Sequence, residues 1–303
     1  MTGIALNQRL ANPSMQTDLR GLADIWVQHR IVLGLIGMGR FSSAPSLLNK
    51  VRGALGRVLL QMGSADVGKG RPCIWSDTCA AEGLFGAKPT IRIGAFRGEI
   101  TKPYRLTQKR KGEDLIVSLD LYGFARVWRH EVKWALLFAL REFVDWDLLA
   151  KDNGFFVPKC VHVSEPVLLE IPIHERDCTH VRLLFQSPVD AERGSIFQRP
   201  DLLFKRLSLR LSMLARWHEV TLQEDWQALQ RKWQDFDYFL KPCVSHSNFS
   251  IGGHKFRNHV NAPQTIEIQG PLGRSATMLA LGENTGLGRG AMIGLGDYSI
   301  DII

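Results

Sequence analysis

Eleven residues near the end of the chain, GLGRGAMIGLG at 286–296, hold five glycines and one arginine. Glycines at this density give up side chains and backbone order, so positive φ and close backbone approach become available. Amide N–H groups freed in this way can line a phosphate, with Gly286, Gly288 and Gly290 as the candidate cradle and Arg289 supplying charge. The alternative is a tight glycine turn beside a final strand. A dinucleotide fingerprint does not fit, because it opens a βαβ unit of about 30 residues and this sequence stops at Ile303. A P-loop does not fit either, since no Gly-Lys-Ser or Gly-Lys-Thr follows the glycines.

Histidines are the second source of chemistry, because their pKa lies near neutrality. His29 alternates in phase with Val27 and Ile31 on an apparent strand, while Arg30 takes the opposite face. It reads either as an acid/base group or as a sheet-face histidine. Arg40 and the Ser42–Ser43 pair sit at the following strand-to-helix turn, where a phosphate can meet a helix N-terminus. The plainer reading of Arg40 is a solvated loop charge. A later cluster brings His246, His254 and His259 together with Lys255 and Arg257, after a Gly252–Gly253 pair. That cluster is either a polyanion contact with a displaced acid/base or an exposed polar hairpin. The five cysteines (Cys73, Cys79, Cys160, Cys178 and Cys243) are scattered and lack the spacing of a structural zinc site. No metal and no cofactor is expected, and the thiols suit a reducing cytoplasm.

These groups need elements to hold them. Strands are expected at 25–36 and 90–97, and at 114–122, where Leu115, Val117, Leu119 and Leu121 share one face. Extended chain is expected at 155–163. Helices are expected at 46–62, with Lys50 and Arg57 away from the apolar side, and at 128–143. Residues 1–24 read as a loose polar leader and 63–89 as loops. The stretch 102–111 carries five basic residues and no acidic one, and reads as an exposed hairpin or loop. The first half is therefore β-α-β-β-α-β, the ferredoxin-like order. The second half repeats it: a strand at 180–187, a helix at 200–217, an inserted helix at 224–238, strands at 245–257 and 264–269, a short helix at 273–281 and a last strand at 291–300. Trp226 and Trp233 sit at helical spacing and read as core. The fold class expected is α+β, two tandem ferredoxin-like (RAMP/RRM-like) βαββαβ domains at 25–165 and 166–303, with the boundary near Ser164 to Pro172.

Composition agrees with a folded chain that meets polyanions. Of 303 residues, 45% are hydrophobic and 22% charged, and 38 Lys and Arg against 30 Asp and Glu give a net charge of +8. No apolar run is long enough to span a bilayer, and the first residues lack a signal-peptide pattern.

The closing run 281–300 (LGENTGLGRGAMIGLGDYSI) resembles the signature of CRISPR precursor-RNA processing endoribonucleases of the RAMP superfamily: a helix, a glycine-rich loop and a strand. Weaker pieces agree in order: VRGALG at 51–56, CIWSDTCAAEGLFG at 73–86, GEDLIVSLDLYGFA at 112–125, LLFQSP at 183–188 and DLLFKRLSLRLSML at 201–214. The resemblance implies two ferredoxin-like domains and metal-independent cleavage of CRISPR repeat RNA. In that reaction the ribose 2′-hydroxyl attacks the adjacent phosphate, leaving a 2′,3′-cyclic phosphate and a 5′-hydroxyl. A base, an acid and a cation are needed. His29, Arg40 and His254 are the candidates for these roles. Ser42, Ser43, Lys50, Arg52, Arg57, Lys255, Arg257, Arg274 and the glycine loop with Arg289 are the candidate RNA contacts. The family often carries its histidine near the first helix, and this chain has none between His29 and His130. The implied partners are repeat RNA or mature guide RNA, and other CRISPR effector-complex subunits, without a membrane. A non-catalytic RAMP subunit that only holds guide RNA is the competing reading. A third is an interaction protein that uses the 224–238 helix.

Overall fold

A computed structural model describes residues 3–44, 46–73, 78–94, 96–146, 160–163, 167–168, 178–187, 196, 199–241 and 265–303. Two compact units divide the chain. One holds Met1–Asn12 and Val27–Leu169, the other Pro13–Trp26 and most of the chain from Glu170 to Ile303.

The first unit opens with helix α1 (Gly3–Ala11). The second begins, in chain order, with strand β1 (Met15–Thr17) and helix α2 (Leu19–Asp24). The expectation of a loose leader is therefore corrected. Leu6 and Leu10 lie one turn apart on α1, as do Leu19 and Leu22 on α2, and all four are fully buried. Asp18 caps α2 by accepting from the Gly21 amide at 2.8 Å. Tertiary burial holds segments too short to be stable alone.

The core of the first unit is a sheet backed by two helices. Strand β2 (Gln28–Leu35) leads to helix α3 (Leu47–Met62), then to short helices α4 (Ala65–Gly68) and α5 (Ala80–Leu84). A small hairpin follows, β3 (Thr90–Ile93) with β4 (Phe96–Glu99), before β5 (Tyr104–Lys111), β6 (Asp114–Tyr122) and helix α6 (Arg129–Glu142). Strands β7 (Cys160–Val163) and β8 (Val167–Leu168) both pair with β2. The sheet order β5-β6-β2-β7 is antiparallel throughout and is that of a ferredoxin-like unit. Period-2 alternation puts Ile31, Leu33 and Leu35 with Leu115, Val117, Leu119 and Leu121 on one buried face. Helices α3 and α6 pack together, and each buries an apolar stripe. The basic stretch 102–111 supplies one arm of a hairpin with β6, as one of the two expectations had it, but it is not exposed throughout. Its first half, Tyr104, Arg105 and Leu106, is buried as a sheet strand, and only Lys109, Arg110 and Lys111 are exposed.

The second unit repeats this order. Strand β9 (His180–Phe185), helix α7 (Asp201–Ala215), strand β10 (Val220–Leu222), helix α8 (Trp226–Gln234), strands β11 (Asp237–Lys241) and β12 (Thr265–Gln269), helix α9 (Arg274–Thr285) and strand β13 (Tyr298–Ile302) follow in turn. The order β11-β12-β9-β13 matches the first sheet position for position. Strand β10 instead pairs with β1. The inserted helix stops at Gln234, and the chain turns at once into β11. Tyr238 donates to the Trp233 carbonyl at 2.6 Å across that turn, and Trp233 donates to Ser275 at 3.0 Å. The strand expected at 245–257 lies outside the described residues. The last strand begins at Tyr298, because a 3-10 turn (Arg289–Ile293) occupies the start of the expected 291–300.

In each of the two larger sheets an arginine–carboxylate pair joins the first and third strands in chain order, on the face turned away from the helices. Arg30 of β2 makes two bonds to Asp120 of β6, at 2.7 and 2.9 Å, and Arg182 of β9 bonds Glu267 of β12 at 2.9 Å. Asp120 is fully buried. Asp120→Ala removes both bonds from Arg30 and is expected to lower stability by about 2–3 kcal/mol, read by denaturant unfolding. A loss below ~0.5 kcal/mol would mark the pair as a solvated surface contact.

Candidate nucleic-acid interface

His29 stands near the start of β2, opposite Leu121 of β6 and Leu168 of β8. It is half-buried, and its Nδ1 is buried with no hydrogen-bond partner among the described residues. Burial lowers its pKa below 6.5, and the cations Arg129 and Arg126 lower it further. The neutral form of the imidazole is favoured, with guanidinium groups nearby. A neutral base beside cations is what attack by a 2′-hydroxyl needs: a proton acceptor and charge for the phosphorane. The two arginines come from the 3-10 turn Gly123–Trp128 and the first residue of α6. Sequence reasoning passed over both. The signal was present in FARVWRH, where two arginines three apart follow the alternating strand. Arg9 of α1 lies over the Phe124 ring at 4.7 Å and adds a third cation to this end of the unit.

The structure does not bring His29 and Arg40 together. His29 sits at one end of β2 and Leu35 at the other, with Arg40 further on in the 3-10 turn Gly39–Ser43. At about 3.3 Å per residue, the strand alone separates them by about 20 Å. Arg40 belongs instead to the end where β5 and β6 form their hairpin. Gly39 donates to the Glu113 carbonyl at 2.7 Å, and Gln108 Nε2 donates to the Ser42 carbonyl at 2.7 Å. Arg40, Lys109, Arg110 and Lys111 are all exposed there, with Arg110 paired to Glu113 at 2.9 Å. Ser42 is half-exposed, Ser43 closes the same turn, and Lys50 lies on the first turn of α3. This end forms a cationic edge around a strand-to-helix turn.

Two helix arginines are engaged elsewhere. Arg52 donates to the Tyr104 hydroxyl at 3.0 Å, and Arg57 donates to the Phe143 carbonyl at 3.3 Å while lying over that ring. In the second unit, Arg274 begins α9 and is held by Glu224 at 2.9 Å and Asp18 at 3.5 Å, with 54% of its side chain still exposed.

The glycine loop is largely built around itself. Gly286 and Gly290 are buried, while Gly288 is half-exposed. Leu287, Ala291 and Leu295 are buried within the loop, and the Leu287 amide bonds the Gly296 carbonyl at 3.0 Å. A Cβ on Gly290 would run into the Leu295 side chain. Arg289 opens the 3-10 turn, and its side chain lies outside what is described. His254, Lys255 and Arg257 also lie outside the described residues.

No family model matches the sequence, and no curated protein matches it. Among solved structures, the chain is similar to a Cas6 substrate mimic complex, with a TM-score of 0.50 and 12% identity over 91% of this chain and 99% of that one. It is also similar to a Cas6 product complex, with a TM-score of 0.44 and 13% identity over the same shares. The chain has a Cas6-like fold. Among the described residues, no helix is long and apolar enough to cross a membrane.

Proposed function

We propose that this protein binds CRISPR repeat RNA and cleaves it without a metal ion, as a member of the precursor-RNA processing branch of the RAMP superfamily. The reading rests on one observation above all: a half-buried imidazole, His29, with Arg126 and Arg129 near enough to lower its pKa, stands at the end of a ferredoxin-like sheet. His29 takes the 2′-hydroxyl proton. Arg126 and Arg129 stabilise the charge that builds on the phosphate. Each half of the chain contributes an RNA-binding unit, the second through Gly288, Arg289 and Arg274. The Cas6-like fold, the net charge of +8 and the cationic hairpin end support binding to an RNA backbone.

Incubation of the protein with repeat RNA in EDTA tests the chemistry. The expected products carry a 2′,3′-cyclic phosphate and a 5′-hydroxyl. An intact RNA that stays bound favours the second reading, a subunit that holds guide RNA beside other effector subunits without cutting it. The wide separation of His29 from Arg40 favours that second reading, because it leaves the proposed base without one of its expected partners.

Binding has its own test. Lys109 and Lys111 project from the same face of β5 and are exposed. The double substitution K109A/K111A is expected to reduce the slope of log K against log salt by about 1.5, at roughly 0.7–0.9 per lost phosphate contact. An unchanged slope would place the RNA elsewhere.

A further inference from the structure

The first unit contains a cavity of about 300 Å³ that the cleavage chemistry does not use, walled by α1, α3, the Val67–Pro72 stretch and α5 with the residues that follow it. Its size is at the lower end of small-molecule sites, about 300–1,000 Å³. Two residues with acceptor groups line it. Glu82 lines it and is only 3% exposed, and among the described residues nothing donates a hydrogen bond to its carboxylate. Asn7 also lines it, and its Oδ1 is buried without a partner. The Lys88 ammonium offsets the Glu82 charge electrostatically while its own bonds go to main-chain carbonyls, so the carboxylate still lacks N–H donors. The wall that holds it is rigid, because Lys88 Nζ donates to the Glu82 and Gly86 carbonyls at 2.6 and 2.9 Å. The half-buried Phe85 ring supplies a flat side, and Arg71, 62% exposed beside Asp66, stands at the rim.

A ligand for this site must be planar, bring adjacent N–H donors to a carboxylate, and tolerate a cation at one edge. Among the RNA bases, guanine alone presents two adjacent donors, N1–H and N2–H, on one edge. A carboxylate accepts both. We propose that this cavity is a guanine pocket. Glu82 accepts from N1 and N2, Phe85 stacks against the ring, Asn7 takes the remaining amino proton, and Arg71 meets the attached phosphate. Unstacked bases of single-stranded RNA are read in this way, on their Watson–Crick edge and against an aromatic face. The pocket rests on the proposed RNA binding only for the source of the guanine, which is either a base of the repeat RNA or a free guanine nucleotide.

Inosine lacks the N2 amino group and isolates the proposed contact. In one arm, fluorescence anisotropy compares repeat RNA with the same RNA carrying inosine in place of guanosine. In the other, calorimetry compares guanosine 5′-monophosphate with inosine 5′-monophosphate. The full-length protein is expected to prefer guanine by about 10-fold or more in at least one arm, the size of a lost charged hydrogen bond. Glu82→Gln is expected to erase that preference. A preference for the free nucleotide without any RNA binding would keep the pocket and remove the RNA reading. A preference in the RNA arm alone would assign the pocket to a base of the repeat. Equal binding of both bases in both arms, no binding in either, or a preference that survives Glu82→Gln would overturn the pocket. If Glu82→Gln fails to fold by circular dichroism, Asn7→Leu provides the same comparison.

Discussion

Replacing His29 with alanine is expected to slow repeat-RNA cleavage by about 10²–10⁴-fold while leaving RNA affinity unchanged. Burial first, then Arg129 and Arg126, lower the pKa of this histidine. Its folded pKa lies below 6.5, so the unfolded chain binds a proton on this group more readily. Two consequences follow for pH. The acid limb of the rate profile should lie below pH 6.5, where the imidazole at last protonates. The group's contribution to stability should fall as pH drops from 6.5 to the lowered value, and His29→Ala should remove that dependence. Arg129→Ala withdraws one cation and should move the acid limb toward higher pH. A merely structural histidine would leave the limb in place. Full activity in His29→Ala would remove it from the mechanism.

Gly296→Ala is expected to destabilise the second unit by about 3–5 kcal/mol, measured by denaturant unfolding. Gly296 has φ near 65°, a region that costs an L-residue about 1–2 kcal/mol. A Cβ there would also run into the Leu287 carbonyl and backbone. The bond from the Leu287 amide to the Gly296 carbonyl closes the loop, and that bond is lost if the strands of the loop are forced apart. The glycines of this segment therefore have a packing duty before any contact with phosphate. A loss below 1 kcal/mol would show that the loop adjusts freely.

Strong periodicity made much of the fold legible. Alternation at 114–122 and 180–187 and helical spacing at 46–62, 128–143 and 200–217 placed strands and helices within about two residues of their observed bounds. The repeated β-α-β-β-α-β order followed, and both sheets carry it. Four elements were hidden for physical reasons. Helices α1 and α2 are short, and tertiary burial of Leu6, Leu10, Leu19 and Leu22 holds them rather than local propensity. Strand β5 carries so many cations that its buried first half reads as exposed. Strand β11 follows α8 after only two residues, with Phe239 and Leu240 left exposed, so its alternation has no contrast.

The candidate site was legible in parts. His29 was visible from its phase along β2, but its neighbours Arg126 and Arg129 come from a distant turn that only the pairing of β2 with β6 brings near. Arg40 and His29 are close in sequence and far apart in space, because an extended strand lies between them. The guanine pocket was not legible, since Glu82 and Phe85 share the segment CIWSDTCAAEGLFG but Asn7 lies some seventy residues earlier, on a helix held by tertiary burial.

In the proposed reaction the RNA's own 2′-hydroxyl does the cutting, with this protein as base and counter-charge. A repeat RNA with a single 2′-deoxy substitution at the scissile nucleotide tests it. This RNA is expected to bind as tightly as the unmodified one and to remain intact, while the unmodified RNA is cut in EDTA. Cleavage of the 2′-deoxy RNA at the same position, or failure to bind either RNA, would contradict it.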